Sequence, residues 1–348
     1  MPSRSSLISL PKEPCAIEHL APGDFWFDWG VAGTLLGSFF ADRYGWPSIF
    51  FLNVPFGLLA LPAAIVLLPP AQKSRDVVAL DLPGALLSTC SLVLLITGLT
   101  QIVHPSVNYL LLLACFGGFL IFFLLFCFIE AHVKYPLVPL HFFRQPNVAG
   151  STMVTLAFCA TANTVLFFFT LYMQQVHGFS SFITGLAFLP TNVMLILGSF
   201  GAPLLIKRWG YKLTILIGLL FLAGGALLYA RISVTGEYVW TLLPGLAAVG
   251  TGLGICQVAA TGVGTHQVGP TERGLVSSLL NVASQVGTAL GLAVLVSVAN
   301  ARTLMLAHNS RPSPEDLVAG FQWAFYAGAA FSLLGIVLLF LTIKRRQA

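Results

Sequence analysis

Long, nearly uninterrupted apolar runs dominate the pattern of hydrophobic and polar positions along this chain. Nine runs are 17 to 25 residues long, and the polar segments between them carry most of the charged residues. A helix that crosses a bilayer needs about 20 mainly apolar residues, so each run predicts a transmembrane helix. The nine runs cover residues 49–68, 82–102, 109–129, 148–172, 182–206, 213–229, 239–263, 275–299 and 321–343.

A tenth apolar run, at residues 29–41, is shorter than a bilayer crossing and lacks an apolar entry on its N-terminal side. With this run included, the pattern predicts an all-α membrane protein, a polytopic helical bundle of about ten transmembrane helices. The composition agrees, because 57% of the residues are hydrophobic, 8% are charged and the mean hydropathy is +0.89. A soluble domain is about 25% charged, so a soluble enzyme, a disordered chain and a secreted disulfide scaffold are excluded.

The basic residues predict the orientation in the membrane, because cytoplasmic loops carry an excess of Lys and Arg. With ten crossings and a cytoplasmic N-terminus, all but four of the 17 Lys and Arg residues face the cytoplasm, the exceptions being Arg43, Arg231, Arg302 and Arg311. This predicts a multi-pass protein of the plasma membrane with both termini cytoplasmic. If residues 29–41 do not cross, only the N-terminal side changes. The net charge of +5 is spread over alternate loops, so we expect the lipid bilayer as a partner and no nucleic acid.

The sequence contains no recognisable catalytic or metal-binding motif. It has no C-x-x-C pair, no H-E-x-x-H and no glycine-rich phosphate loop, and a membrane enzyme would need a convergent set of such groups. We therefore expect no enzyme activity, no metal and no cofactor. All 12 carboxylates fall in loops, in the N-terminal tail or at the ends of apolar runs, so no proton relay is predicted at mid-membrane, where an ionisable group usually marks one.

Neutral amides are the polar groups that interrupt the apolar runs. They can form interhelical hydrogen bonds, worth about 1 kcal/mol each, or they can line a wet cavity for an amphipathic ligand. Both interpretations stay open at this point. The candidate lining residues, with one aromatic neighbour, are Asn163, Phe167, Asn192, Gln257, Asn281 and Gln285.

Glycine pairs in two runs predict close approach of neighbouring helices. Gly33 and Gly37 are four residues apart, and so are Gly287 and Gly291. Small residues at this G-x-x-x-G spacing allow the backbones of two membrane helices to approach each other.

Several segments together resemble one family, the fourteen-span drug:proton antiporters of the major facilitator superfamily. Residues 45–57, GWPSIFFLNVPFG, are similar to the family pattern G-W-R-W-I-F-x-x-N-x-P-x-G, and Asn53, Pro55 and Gly57 hold its later positions. Residues 33–38, GTLLGS, resemble the antiporter motif G-P-x-x-G-G. The loop KRWGYK at 207–212 is similar to D-R-x-G-x-[RK], with Lys207 in the acidic position. The matching positions of that loop are Arg208, Gly210 and Lys212.

The resemblance implies an exporter of small amphipathic molecules that uses a proton gradient. The ten runs correspond to spans five to fourteen, so the resemblance also implies an N-terminally truncated chain that is inactive alone. On this view residues 1–28 form a non-membrane tail, 29–69 a remnant of the first bundle, 70–147 a linker with a two-helix hairpin, and 148–348 a six-helix bundle. The alternative is a non-transporting membrane interaction protein, a half-transporter that pairs with another chain.

Overall fold

Ten α-helices account for nearly all of the residues that the structure, a computed structural model, describes. These residues are 22–67, 81–102, 108–133, 145–236, 238–266, 268–269, 272–307 and 312–343, and no β-strand occurs among them. Most of the predicted tail and parts of the predicted linker lie outside the described residues. The helices are α1 (Pro22–Tyr44), α2 (Ser48–Leu67), α3 (Leu82–Ile102), α4 (Tyr109–His132), α5 (Pro146–Leu171), α6 (Ser181–Ala187), α7 (Leu189–Tyr229), α8 (Leu243–His266), α9 (Arg273–Ala307) and α10 (Pro314–Thr342).

The predicted apolar runs fall almost entirely within helical segments, although α1, α9 and α10 each extend seven or eight residues beyond their runs at one end. This confirms the all-α membrane fold. Seven helical stretches of the described chain are long and apolar enough to cross a membrane, and α2 contributes a shorter one. One of the seven, Ser181–Tyr229, contains 49 residues. At about 1.5 Å per residue it is more than twice as long as the hydrocarbon core is thick. The number of ten crossings stays a prediction.

Helix α7 bends sharply at Gly210, whose φ of 76° and ψ of 170° are non-helical. A side chain makes this backbone conformation very costly, so glycine is required there. The two halves of α7 then run in opposite directions along α8. On the first half of α7, Thr191 contacts Gly250 and Leu195 contacts Gly254, so the residue numbers of the two helices increase in the same direction. On the second half, the residue numbers of α8 decrease as those of α7 increase. The predicted runs 182–206 and 213–229 are therefore separate antiparallel segments.

The main hydrophobic core lies within the bundle of α5 to α10. Its largest fully buried side chains are aromatic, and they come from helices that are distant in sequence. Phe169 contacts Phe188 edge-on at 4.9 Å between ring centroids, and Tyr229 stacks on Phe325 at 5.2 Å. These rings hold α5, α7 and α10 together.

The remaining helices pack at the edge of this bundle. Helix α1 contacts α6 and α7, α2 contacts α1, and α3 and α4 form a pair whose α3 also contacts α9. Large apolar side chains on these outer helices are exposed, for example Leu59, Leu110 and Leu113, each at more than 70%. Such a surface suits contact with lipid tails.

Two carboxylates at one end of the α3–α4 pair are buried rather than exposed at the membrane surface. Asp81 precedes α3, and its Oδ1 accepts a hydrogen bond of 2.9 Å from the Gly84 backbone N–H. Glu130 lies in the last turn of α4 and is 3% exposed. Both carboxylates come close to Gly84, where an added Cβ would meet oxygens of each. The sequence places Glu130 at a span end, and packing against α3 is what buries it.

Candidate functional site

The polar contacts between α5 and α9 depend on two glycines of α9. A Cβ added at Gly287 would lie 2.8 Å from the Leu156 Cα, and one added at Gly291 would lie 2.6 Å from the Ala160 Cα. The backbones of the two helices therefore nearly touch at Gly287 and Gly291. Bulkier residues at these two positions would force the helices apart.

This close approach brings the polar side chains of α5 and α9 into hydrogen-bonding distance. The Asn163 amide donates to the Thr288 hydroxyl at 2.9 Å, and that hydroxyl donates to the Ser284 carbonyl at 2.9 Å. One turn away, the Cys159 thiol donates to the Ser284 hydroxyl at 3.2 Å. Asn163 thus makes an interhelical hydrogen bond, the first of the two interpretations open for it.

Three other candidate amides have a different environment. Gln257 on α8 and Asn281 and Gln285 on α9 are exposed. Their side chains make no hydrogen bond to the rest of the described chain. On the surface of an apolar bundle, unpaired amides need water or a ligand as a partner.

Polar residues repeat every four positions around these amides and form two stripes on neighbouring helices. The stripe of α9 consists of Ser277, Asn281 and Gln285, and the stripe of α8 consists of Gln257, Thr261 and Thr265. Residues four apart lie on the same face of a helix, so each stripe is a continuous polar strip. We call them the polar stripes. Ser277, Thr261 and Thr265 were not predicted from the sequence, although their spacing to the amides is visible there.

The two remaining candidates lie apart from the stripes. Phe167 on α5 is 39% exposed, beside the buried Phe168. Asn192 on α7 donates a long hydrogen bond of 3.4 Å to the Thr34 hydroxyl of α1. Asn192 is therefore engaged where α1 packs on α7, whereas Phe167 presents an aromatic surface.

The glycines of α1 do not make the close contact that their spacing predicts. A Cβ added at Gly33 or Gly37 would meet nothing within 4 Å among the described residues. The close approach comes instead from Gly185 of α6, against the Ser38 side chain and, at 3.4 Å, the Thr34 carbonyl. Spacing shows that close packing is possible but does not show which residues the neighbouring helix faces, so close packing at Gly33 and Gly37 stays a prediction.

Asn53, Pro55 and Gly57 of the 45–57 motif are exposed on α2. The Asn53 amide donates to the Ile49 carbonyl of its own helix at 3.2 Å, and Gly57 has open space beside it. Pro55 lies inside the helix. In the described chain these three residues form no site with other helices.

The segment 207–212 surrounds the bend of α7 and contacts the end of α10. After the bend at Gly210, the Lys212 ammonium donates to the Ile343 carbonyl at 2.6 Å and lies 4.9 Å from the Phe340 ring centroid. It thereby satisfies carbonyls at the C-terminus of α10, where cations are favoured. The Arg208 guanidinium lies 5.4 Å from the Trp209 ring centroid.

Hydrogen bonds from side chains to backbone carbonyls fix the opposite end of the bundle. Tyr172 donates to the Ser233 carbonyl at 2.6 Å, and Gln322 donates to the Ile232 carbonyl at 2.8 Å. Tyr238 donates to the Ala187 carbonyl at 2.9 Å, and burial raises the pKa of its phenol, which therefore stays protonated.

Each of these two tyrosines begins a π-helical segment, Tyr172–Val176 or Tyr238–Leu242. Such segments often occur at functional sites. The sequence offers no periodic signal for them.

The described residues include no group of three or more His, Cys, Asp or Glu side chains that could hold a metal ion. What the exposed part of the site offers is neutral hydrogen-bonding groups on an apolar surface. That arrangement can bind an amphipathic molecule.

Comparison with known proteins identifies the family. The model of the Major Facilitator Superfamily matches residues 29–292. The chain is 33% identical over 312 residues to the cephamycin export protein CmcT of Amycolatopsis lactamdurans, covering 89% of this chain and 63% of that protein. It is 32% identical over 271 residues to the tetracenomycin C resistance and export protein of Streptomyces glaucescens, covering 76% and 49%.

A third relative is the multidrug resistance protein Stp of Mycobacterium tuberculosis, 29% identical over 275 residues that cover 77% of this chain and 49% of that protein. The chain thus spans about half to just under two thirds of the length of these relatives. Export proteins among the relatives indicate a transporter rather than an enzyme. The apolar helices, the motifs and the family match lead to one conclusion: this chain belongs to the Major Facilitator Superfamily.

Proposed function

We propose that this chain supplies the substrate-binding bundle of an exporter for small amphipathic molecules, antibiotics among them. The observation that carries the proposal is the pair of polar stripes, whose amides have no hydrogen-bond partner in the described chain. Transporters of this kind bind substrate near the bilayer midplane between two bundles that rock against each other. The names of the relatives, which refer to export of and resistance to antibiotics, support the same substrate class.

The chemistry of the stripes suits ligands that combine apolar surface with a few polar groups. The amides of Gln257, Asn281 and Gln285 can each donate and accept hydrogen bonds without carrying a charge. A neutral, adaptable lining of this kind tolerates many substrates, because no single fixed charge has to be matched.

Coupling to protons by antiport is the part of the proposal that rests on the resemblance to the drug:proton antiporters. The orientation in the plasma membrane, with both termini cytoplasmic, rests on the basic residues. Lys207, Lys212 and Arg273 lie at the end of the bundle that contains Gly210, whereas Arg231 and Arg302 lie at the other end. This asymmetry supports a cytoplasmic location for the Gly210 end.

The test is efflux of a fluorescent amphipathic dye from an efflux-deficient bacterium. The chain is expressed alone and as a chimera that takes the rest of its length from the CmcT relative. The double variant N281L/Q285L is then made in the form that exports dye, either the chain alone or the chimera. We expect it to lower efflux several-fold or to change which dyes are exported. A protonophore should abolish efflux.

Asn300→Leu provides the matched control, because Asn300 is an exposed amide of α9 outside the polar stripe. Its variant should export normally. An unchanged dye profile in N281L/Q285L at equal expression would contradict the assignment of the stripes. Efflux that persists with protonophore would contradict proton antiport.

The second candidate function is a membrane interaction protein that pairs with another chain without transport. The observation that favours it is the open space beside Gly33, Gly37 and Gly57, which leaves small-residue faces free for a partner helix. A stable complex with a second membrane protein, lost in the variant G33L/G37L and without dye efflux, would favour this function over export.

A further inference from the structure

The two polar stripes lie on neighbouring helices that start from the same end of the bundle. Helices α8 and α9 contact each other, and only six residues of sequence separate the end of α8 from the start of α9. A Cβ added at Gly264 of α8 would lie 3.2 Å from side-chain atoms of both Val276 and Leu280 on α9. This contact shows which residues of the two helices are level with each other.

The glutamines of the two stripes lie at a similar depth, well inside the bundle. Gln257 lies seven residues before Gly264 and Gln285 lies five residues after Leu280, which are about 10 Å and about 8 Å along a helix. Gln285 is also twelve residues from the start of α9 at Arg273, or about 18 Å. The hydrocarbon core of a bilayer is about 30 Å thick, so both amides lie near its middle.

Charged residues occur only at the ends of these two helices. Within 238–271 and within 274–301 the sequence contains no Asp, Glu, Lys or Arg. Helix α5, which packs on α9, also contains none. Glu272 and Arg273 are adjacent where α9 begins, so their opposite charges largely offset each other. A ligand at the depth of the amides therefore meets hydrogen-bonding groups but no counter-charge from α5, α8 or α9.

We infer, on the basis of the proposed export function, that the polar stripes select uncharged molecules that carry both hydrogen-bond donors and acceptors. A side-chain amide has an N–H donor and a carbonyl acceptor, so Gln257 and Gln285 pair with amide, hydroxyl or ketone groups of the ligand. A permanent charge at this depth loses its water without gaining a counter-ion, which is costly. The nearest charge on α9 towards the Gly210 end, at Arg273, is too distant from Gln285 to compensate.

The experiment measures binding of three dansyl sulfonamides to the purified full chain in a neutral detergent. The neutral probe is dansyl-glycinamide, the anionic probe is dansyl-glycine, and the cationic probe carries an aminoethyl-trimethylammonium tail. Binding is the saturable part of the fluorescence enhancement, after subtraction of micelles without protein. We expect the neutral probe to bind about tenfold more tightly than either charged probe, because an unpaired charge at mid-membrane depth is costly.

Two matched substitutions test whether the stripes set this selectivity. N281D adds a carboxylate to the stripe of α9, so it should strengthen binding of the cationic probe and weaken binding of dansyl-glycine several-fold. N300D makes the same change at an exposed amide of α9 outside the stripe, and it should keep the wild-type order of the three probes. If N281D folds poorly, Q257E makes the corresponding change on α8. Thermal unfolding of each variant shows whether its fold is intact.

The contrary results separate this selectivity from the proposed export function. If the wild type bound a charged probe as tightly as the neutral one, the selection of uncharged molecules would be overturned and the export function would stand. Equal shifts in N281D and N300D would also overturn it, because the stripes would not set the selectivity. Saturable binding of none of the three probes would instead overturn the assignment of the stripes as the substrate site, and the proposed function with it.

Discussion

Asn163 and Gln285 lie near the same α5–α9 contact, yet they differ in what they bind. Asn163 donates to Thr288 across the helix contact, whereas Gln285 is exposed on the polar stripe. The difference comes from the neighbouring helix and not from the residue type. At the residue scale, a side-chain amide can therefore stabilise the fold at one position, whereas another amide at a different position is exposed and can contact a ligand.

We expect N163A to lower the free energy of unfolding by about 0.5–1 kcal/mol, the usual worth of one interhelical hydrogen bond in a membrane. The variant also leaves a small cavity and frees the Thr288 hydroxyl. Unfolding in mixed detergent micelles, followed by circular dichroism, measures the change. Q285A serves as the control and should leave stability unchanged; an equal loss in both variants would show that Asn163 is not specifically paired.

Gly291 makes a second prediction at the residue scale. We expect G291A to destabilise the protein by about 1–3 kcal/mol, because the added Cβ has no room against the Ala160 backbone and overpacking has this cost. Thermal unfolding in detergent measures it. G224A is the control within the same bundle, since its added Cβ would meet nothing within 4 Å. Equal melting temperatures for G291A and G224A would contradict the close α5–α9 contact.

Gly210 acts at the scale of a whole element, because it divides α7 into two segments that flank α8. Its backbone conformation is nearly exclusive to glycine. Without the bend, the second half of α7 could not return along α8, and the contacts of Gly218 and Gly225 with that helix would be lost. One residue thus decides the direction of about 20 others.

We expect G210A to destabilise the protein by about 1–3 kcal/mol, the cost of holding a side chain in this backbone region. The yield of monodisperse protein after detergent extraction and its melting temperature measure the effect. G201A is the matched control, because Gly201 is a helical glycine of α7 with free space beside it. If G210A melted no lower than G201A, the bend would not require glycine.

At the scale of the whole molecule, the bundle has two chemically different ends. The Gly210 end carries Lys207, Arg208 and Lys212, whereas hydrogen bonds from Tyr172 and Tyr238 fix the loops of the other end. Membrane proteins carry their excess of basic residues in cytoplasmic loops. We therefore expect the Gly210 end of this bundle to face the cytoplasm.

This orientation predicts opposite labelling of two single-cysteine variants. In a background without the native cysteines, R231C should react with a membrane-impermeant maleimide added to intact cells. R273C, at the start of α9 on the Gly210 end, should react only after the cells are permeabilised. Both arginines are exposed, so accessibility within the fold is matched. Labelling of R273C in intact cells would reverse the proposed topology.

The sequence alone predicted the helices well and the site only in part. Run length and apolarity are local properties. The predicted runs 82–102 and 109–129 therefore match α3 and α4 at every end except the C-terminal end of α4. The spacing of Gly287 with Gly291 and of Gly33 with Gly37 is equally visible in the sequence, but in the described chain only the first pair lies against a neighbouring backbone. Which pair does so depends on the face that the neighbouring helix presents. The contact between Lys212 and Ile343 was also out of reach, because 131 residues separate the two.

What the sequence by itself determined is the class of protein, because a chain with 8% charged residues and apolar runs of bilayer length is stable only in lipid. It also determined the basic bias between alternate loops and, through its motifs, the family. Only the tertiary structure decided which amides are paired within the described chain, that α7 returns along α8, and that Lys212 contacts the C-terminal end of α10. These features depend on the neighbour that each helix meets, and helix packing sets that neighbour once the chain has folded.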